Sequence, residues 1–331
     1  MSAAVLFGSF FVLLLLTVPI GYAIGISSLI AIYYFSDIPL IIIAQKSITG
    51  VDSLPLLAIP FFMLAGNLMS SGGIARRLVN FFDALIGHVT GGLGMVTIIV
   101  CMFFAEIPGS AVPTVSAVGA FMIPEMVDHG YNKPFSAALT AAAGTIGVII
   151  PPSIPFVIYG VVSGTSITDM FTAGFMPGIM MGAALMIVCY FVSKKNGYRG
   201  KEKASSAKEI WVAFKDAFWA ILSPVIILGG IYSGFFTPTE AAVISVVYSF
   251  IVGVFVYKEL DVRGAYKSFK DAIVVNGATT FMVGFSTVFA AFLTMAQIPN
   301  MIAQAILGLT DNAILILLII NIFLLIVGMF I

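Results

Sequence analysis

The chain has 331 residues, of which 60% are hydrophobic and only 9% are charged, and its 15 basic residues balance its 15 acidic ones. Because soluble domains carry roughly 25% charged residues, this composition excludes an ordinary soluble domain, and the lack of a basic excess argues against nucleic-acid binding. Long apolar runs recur from end to end, and several reach the roughly 20 residues that cross a bilayer as a helix. We therefore predict an all-α, polytopic membrane protein.

The first apolar run, "AAVLFGSFFVLLLLTVPIGYAIGISSLIAIYYF", begins at the third residue. No basic residue precedes it, and it is longer than the roughly 7–15 apolar residues of a signal-peptide core. We predict a retained membrane helix rather than a cleaved signal.

The apolar segment over residues 91–126 is interrupted near its middle by "IPGSAVP", which contains Pro108, Gly109, Ser110 and Pro113. The two halves of about 15 residues are each too short to cross a hydrocarbon core of ~30 Å. The pattern predicts a re-entrant hairpin with its tip at membrane depth. Irregular backbone is tolerated at that depth only inside protein or beside a water-filled cavity, so the tip needs a partner.

A second interruption, "GTIGVIIPPSIPFVIYG" over residues 144–160, supplies that partner. Its prolines lack backbone donors and break helices, so we predict a broken helix over 133–163 whose freed carbonyls can bind a hard cation such as Na⁺. Half-helix N-termini at such a break attract carboxylates, and the small residues Gly144, Gly147 and Ser153 allow close backbone approach. The alternative is a proline kink that only shapes the bundle.

One long hydrophilic segment, residues 194–217, divides the chain into a first membrane half, 1–193, and a second half, 218–331. It carries seven Lys or Arg residues against three acidic ones, and the positive-inside rule predicts that this connector is cytoplasmic. Residues 72–85 and 262–273 each place basic and aromatic residues before an apolar run. This pattern is typical of helices that lie in the membrane interface. The similarity of the two stretches suggests two related halves, as in many secondary transporters.

Motifs of several other functional classes are absent from the sequence. It contains no H-E-x-x-H and no G-x-S-x-G, and the G-x-x-x-x-G-K-[ST] loop of an ATP-driven pump is also missing. Cys101 and Cys189 both lie in apolar runs and imply neither a disulfide nor a metal cluster. We therefore predict a protein that is not an enzyme and that has no cofactor.

Three motifs carry a resemblance to a known family. They are "PGSAVPTVSAVGAFMIPEMVDHGYNKPFSAALTAAAGTIGVIIPPSIPFVIYG", "TSITDMFTAGFMPGIMMG" and "FFTPTEAAVISVVYSF", in this order along the chain. Together, in order and spacing, they resemble the large membrane subunit of tripartite ATP-independent periplasmic (TRAP) transporters over nearly the whole chain.

The resemblance implies a Na⁺-driven importer of carboxylates, such as C4-dicarboxylates, sialic acid or other sugar acids, in the lipid of the bacterial inner membrane. A periplasmic substrate-binding protein would deliver the organic acid, a small membrane subunit would accompany the large one, and Na⁺ would be the coupling ion. The implied fold is an elevator-type transporter with inverted repeats, in which 91–126 is the first re-entrant hairpin and 133–163 the broken helix that follows it.

The resemblance also implies which residues form the site. In the implied Na⁺ site, Ser110 acts together with the backbone around Gly144, Gly147 and Pro151. The residues implied at the hairpin tip and the substrate are Gly109, Ser110, Pro152 and Ser153.

The sequence departs from the family pattern in two ways. Glu106 and Pro113 stand beside the hairpin tip, where family members have small residues. An ionisable group inside a membrane segment is a functional candidate, so a proton-coupled organic-anion transporter stays an alternative, as does an ion channel built from broken helices. The chain also stops within the apolar run "NIFLLIVGMFI", and we expect a truncated transporter whose second hairpin and second Na⁺ site are missing.

Overall fold

A computed structural model describes residues 2–36, 38–105, 111–201, 203–310 and 312–328. Every regular element in these ranges is a helix, which confirms the predicted all-α class. In chain order the helices are α1 (Ser2–Leu15), α2 (Ile20–Phe35), α3 (Ile41–Thr49), α4 (Ala58–Ser71), α5 (Ile74–Ile86), α6 (Gly92–Ala105), α7 (Ala111–Asp128), α8 (Lys133–Thr145), α9 (Ile154–Ser163), α10 (Ile167–Asn196), α11 (Ala207–Tyr232), α12 (Pro238–Ile251), α13 (Val262–Met295), α14 (Ile298–Leu307) and α15 (Ala313–Gly328). A 3-10 turn at Leu54–Leu57 leads into α4, another at Ile146–Val148 follows α8, and a π-helical turn at Val252–Val256 extends α12.

Within the described residues, five helical segments are long and apolar enough to cross a membrane. They are Leu54–Ser71, Ile167–Asn196, Ala207–Tyr232, Pro238–Val256 and Val262–Met295. Shorter apolar helices, among them α1, α2, α9 and α15, accompany them. The prediction of a polytopic membrane protein is confirmed.

Several of the long helices begin at caps that are visible in the sequence. The Ser166 hydroxyl accepts a hydrogen bond from the Asp169 amide at the start of α10, at 3.2 Å. Thr237 and Glu240 form a reciprocal capping box at the start of α12, and α11 begins with a capping box as well. These caps satisfy first-turn amides that have no partner within the helix, so the motifs "TSITD" and "TPTE" mark the N-termini of α10 and α12.

Contacts divide the chain into two compact units. Unit 1 comprises Met1–Asp52 and Gly277–Ile331, and unit 2 comprises Ser53–Asn276, so that α13 contributes residues to both. The predicted division of the chain into a first half, 1–193, a connector, 194–217, and a second half, 218–331, stays a prediction.

Unit 1 is built around α1, α2 and the part of α13 that belongs to it. Its core contains Leu6, Ala31, Ile32, Val288 and Phe292, all buried. Helix α2 approaches α13 closely because it presents small residues to it. A Cβ atom on Gly25 would lie 2.7 Å from a ring carbon of Phe285.

In unit 2, α4 and α12 run side by side in the same direction. Near their N-termini, the Thr239 hydroxyl donates to the Leu54 carbonyl at 3.3 Å. Near their C-termini, a Cβ atom on Gly72 would lie 3.1 Å from the Cα of Gly253. Buried small residues, including Ala65 and Ala242, allow this close packing.

The two ends of unit 2 differ in charge. One end gathers the described residues 72–91, 129–133, 193–201, 203–208 and 257–271, which include most of the Lys and Arg residues of the chain. At the other end, the described residues 53–57, 163–169 and 233–240 carry Asp169 and Glu240 but no Lys or Arg. We call the first the basic end.

The two amphipathic stretches that resemble each other in sequence form unlike elements. Residues 74–86 form the separate helix α5, which buries Ile74, Leu78 and Phe82 on one face. Residues 262–273 are instead the first turns of α13. Both lie at the basic end, since Arg77 of α5 pairs with Glu259 just before α13. The hint of two related halves that their sequence similarity gave stays a prediction.

Candidate functional site

Helices α6 and α7 form a hairpin whose two outer ends meet at Tyr198. The Gly91 amide, just before α6, donates to the Tyr198 carbonyl at 3.1 Å. The Asn132 amide, just after α7, donates to the Tyr198 hydroxyl at 3.1 Å. Helix α6 begins at the basic end, where Gly91 lies. Its 14 residues are about 21 Å long, so this helix is too short to cross a hydrocarbon core of ~30 Å.

Gly91 makes the entry into this hairpin possible. Its φ of +76° lies in the left-handed region that glycine adopts readily. A Cβ atom there would also lie 2.5 Å from the Ser193 hydroxyl oxygen, so a larger residue would push α10 away from the start of α6.

The proline-rich segment interrupts the next helix. Helix α8 ends at Thr145, a 3-10 turn covers Ile146–Val148, and α9 begins at Ile154. Pro151 and Pro152, which are joined by a cis peptide bond, cannot donate the backbone hydrogen bonds that the Gly147 and Val148 carbonyls would receive in a continuous helix.

Ser153 closes part of this gap. Its hydroxyl donates to the Val148 carbonyl at 2.6 Å and accepts a hydrogen bond from the Phe156 amide at 3.4 Å. It therefore replaces one lost donor and caps α9. The other carbonyl that loses its α-helical donor to a proline is that of Gly147, since Pro151 has no amide hydrogen.

Helix α10 covers the interruption with a row of glycines. Gly174, Gly178 and Gly182 are buried and four residues apart. A Cβ atom on Gly174 would lie 2.6 Å from the Ile149 carbonyl oxygen, and one on Gly178 would clash with the Ile150 side chain. Gly182 faces Met102 of α6, so the same row packs against both the interruption and the hairpin.

The interruption also lies against the first turn of α7. A Cβ atom on Gly144 would clash with Val115 and would lie 3.4 Å from the Ala111 carbonyl oxygen. Ala111 follows Ser110 in the chain. The structure therefore brings the predicted Gly144 next to the segment that adjoins the predicted hairpin tip.

The residues predicted for the site fall into two groups. Five of them are described and buried at the interruption: Gly144, Gly147, Pro151, Pro152 and Ser153. The other two, Gly109 and Ser110, lie outside the described residues, as does Glu106. No group of three or more His, Cys, Asp or Glu residues that could hold a metal ion occurs within the described ranges. The described residues of the interruption offer backbone oxygens and the hydroxyl of Ser153.

Sequence reasoning missed the row of glycines on α10, although its four-residue spacing in "GFMPGIMMG" is a known signal for close helix packing. It also missed Arg77, for which no local signal exists. The Arg77 guanidinium pairs with Glu259 at 2.8 Å and Asp216 at 3.2 Å, and lies 3.8 Å above the Tyr257 ring. Burial raises the pKa of Tyr257 to about 12, and its hydroxyl donates to the Asp216 carbonyl at 2.9 Å.

Known proteins match the chain over nearly its full length. The family model for the DctM component of the tripartite ATP-independent periplasmic transporter matches residues 7–331. The isethionate TRAP transporter permease protein DctMQ of Oleidesulfovibrio alaskensis is 45% identical over 326 residues, which cover 98% of this chain and 51% of that protein. The chain thus spans about half the length of this relative.

Two further relatives bear different substrate names. The sialic acid TRAP transporter large permease protein SiaM of Vibrio cholerae is 41% identical over 96% of this chain and 74% of its own length. The C4-dicarboxylate TRAP transporter large permease protein DctM of Rhodobacter capsulatus is 36% identical over 100% of this chain and 78% of its own length. With its hairpin, interrupted helix and match over residues 7–331, this chain belongs to the DctM-component family of tripartite ATP-independent periplasmic transporters.

Proposed function

We propose that this chain is the large membrane subunit of a Na⁺-coupled importer that moves an organic acid across the bacterial inner membrane. A periplasmic substrate-binding protein delivers the acid, and a small membrane subunit completes the complex. The relatives are named for isethionate, sialic acid and C4-dicarboxylates. These molecules share an anionic group on a small polar body, so the substrate is a carboxylate or a sulfonate.

The observation that carries this proposal is the interrupted helix held against the hairpin. Its prolines leave the Gly147 carbonyl without an α-helical donor, and Gly144 packs against the first turn of α7. Unwound carbonyls between half-helices are typical Na⁺ ligands in secondary transporters. Ser110, the residue before Ala111, adds the hydroxyl that the family resemblance implies.

The substrate side of the site depends on the half-helix that follows the interruption. The N-terminus of α9 carries a partial positive charge that favours a carboxylate or sulfonate. Pro152 and Ser153 set where this N-terminus begins, because the Ser153 hydroxyl caps it. A Na⁺ ion and the anion would thus be held by the two sides of one interruption.

The test is uptake into proteoliposomes that contain the full-length large subunit with this sequence and its small membrane subunit, with the binding protein added outside. Radiolabelled isethionate, N-acetylneuraminate and succinate serve as probes, each under an inward Na⁺ gradient and under choline at the same pH. We expect at least one probe to accumulate only with Na⁺ and only with the binding protein. Accumulation driven by a proton gradient without Na⁺ would favour the proton-coupled alternative, and flux independent of the binding protein would favour a channel.

A further inference from the structure

A polar cavity opens at the basic end of unit 2, between α4, α7 and α13. Its volume is about 380 Å³, within the range of small-molecule sites. It reaches Phe104, which lies about 18 Å along α6 from the start of that helix at Gly92. The cavity thus runs from the basic end towards the depth at which α6 ends.

Two helices hold the cavity wall together by reciprocal hydrogen bonds. The Asn67 side-chain amide donates to the Ser268 carbonyl at 3.2 Å, and the Ser268 hydroxyl donates to the Asn67 carbonyl at 3.3 Å. The Ser71 and Ser268 hydroxyls are 3.1 Å apart. These bonds fix the wall and leave Ser70 on α4 and Ser116 on α7 to line the open space.

Two opposite charges line the same cavity without pairing. Lys267 and Asp271 are one turn apart on α13, and both are exposed to the cavity. Among the described residues, neither side chain forms an ion pair or a hydrogen bond. A surface cation that is not neutralised by its neighbour is free to attract a mobile anion.

We propose that this cavity receives the organic anion at the basic end, where Lys267 attracts the anion and Asp271 keeps its binding weak enough for release. The anion's oxygens exchange water for the hydroxyls of Ser70 and Ser116 and the ammonium of Lys267. This inference deepens the proposed function, on which it rests, because it gives the organic acid a place in the chain outside the Na⁺ site.

The balance of the two charges follows from what a release path requires. A permeating species must bind well enough to enter a site and weakly enough to leave it. With Lys267 alone, the cavity would retain anions, and with Asp271 alone, it would exclude them. The serines contribute hydrogen bonds that suit any carboxylate or sulfonate and do not select one shape.

Cysteine labelling tests the electrostatic part of the proposal without any transported substrate. Ser116→Cys places a reporter in the cavity of the full chain, purified in detergent at low ionic strength. Its reaction rate is measured with 2-sulfonatoethyl methanethiosulfonate, an anion, and with 2-(trimethylammonium)ethyl methanethiosulfonate, a cation. Because both native cysteines are buried, the protein without the added cysteine gives the background rate.

We expect Lys267→Gln to lower the ratio of the anionic rate to the cationic rate about tenfold, and Asp271→Asn to raise it by a similar factor. Lys267→Arg should keep the ratio within about twofold of the original, and added salt should reduce all differences. Lys270→Gln, which removes a charge from α13 outside the cavity lining, is the matched control and should have little effect.

Three results would overturn the proposal. They are a ratio that Lys267→Gln leaves unchanged, an equal effect of Lys270→Gln, and failure of both Ser116→Cys and the second reporter Ser70→Cys to react. The labelling ratios do not depend on uptake into proteoliposomes. A negative uptake result would therefore contradict the proposed function alone, and unchanged labelling ratios would contradict the cavity proposal alone.

Discussion

Tyr131 and Tyr198 stack on each other, with ring centroids 4.4 Å apart and ring planes 23° apart. Tyr131 follows α7 and Tyr198 follows α10, so the stack joins the end of the hairpin to the hydrophilic connector. The Tyr198 hydroxyl also accepts the hydrogen bond from Asn132. The first residues of the connector are therefore attached to the hairpin. Lys201 of the connector also pairs with Asp83, which attaches the connector to α5.

Removing the Tyr198 side chain should release the connector. We expect Tyr198→Ala to lower the free energy of unfolding by about 2–3 kcal/mol, because it removes an aromatic pair and buried area. Tyr198→Phe should cost only about 1 kcal/mol, the value of one hydrogen bond. Denaturant unfolding measures both, and trypsin cleavage after Lys203 should accelerate in Tyr198→Ala. An unchanged cleavage rate would show that the stack does not hold the connector.

Replacing both Pro151 and Pro152 with Ala should weaken the response to Na⁺. Two new amide donors and the loss of two ring clashes favour continuous helix by several kcal/mol, about 3 kcal/mol for each proline in a helix interior. The Gly147 carbonyl would then bond within the helix and no longer face a cation. The measurement is the rise in Tm with Na⁺ relative to choline.

The matched control for this variant is Pro224→Ala, which removes a buried proline inside the continuous helix α11. It should leave the Na⁺-dependent rise in Tm intact. If the double variant also retains the full rise, the prolines only shape the bundle.

Replacing a glycine of the row on α10 with alanine should destabilise the protein. Gly178→Ala places a Cβ atom against Ile150, and overpacking typically costs about 1–3 kcal/mol. Gly229→Ala on α11 is the control, because no atom lies within 4 Å of the position that its Cβ would occupy. It should be neutral or gain up to about 1 kcal/mol from helix propensity. Equal stability of the two variants by thermal unfolding would contradict the packing described for α10.

Arg77 should couple energetically to Glu259. The Arg77 side chain is 15% exposed and its partner 41%, so we expect a coupling of about 0.5–1 kcal/mol, the upper part of the range for exposed ion pairs. A double-mutant cycle of Arg77→Gln and Glu259→Gln measures it, and added salt should reduce it. Arg77→Lys should restore little, because lysine lacks the planar fork that also stacks on Tyr257. A zero coupling at low salt would mean that the contact is only geometric.

The connector should be cytoplasmic. Thr165 precedes α10 and Ser205 follows it, and this helix of 30 residues is about 45 Å long, so the two positions lie on opposite sides of a membrane. In intact cells, an impermeant thiol reagent should label Thr165→Cys and spare Ser205→Cys, with the reverse in inverted vesicles. Labelling of Ser205→Cys from outside would overturn this orientation.

The sequence alone was sufficient for features that depend on neighbouring residues. The helix that ends at Thr145 and resumes at Ile154 follows from prolines that cannot donate hydrogen bonds. The capping box at Thr237 can be read from four consecutive residues. The class of the protein follows from composition, and its family from three motifs in order. The assignment of Na⁺ to Gly144, Gly147 and Pro151 stays a prediction.

Only the tertiary structure decided which distant residues meet. Asn67 and Ser268 are 201 residues apart in the chain and share two hydrogen bonds, and nothing near either residue indicates the other. The stretches 72–85 and 262–273 are similar in sequence, but only the contact of Arg77 with Glu259 shows that both lie at one end of unit 2. Backbone hydrogen bonds within a turn depend on a few adjacent residues, so they can be predicted from a single sequence. Packing between helices depends on the side chains of both partners at once, and a cavity such as the one beside Lys267 exists only after three helices have come together.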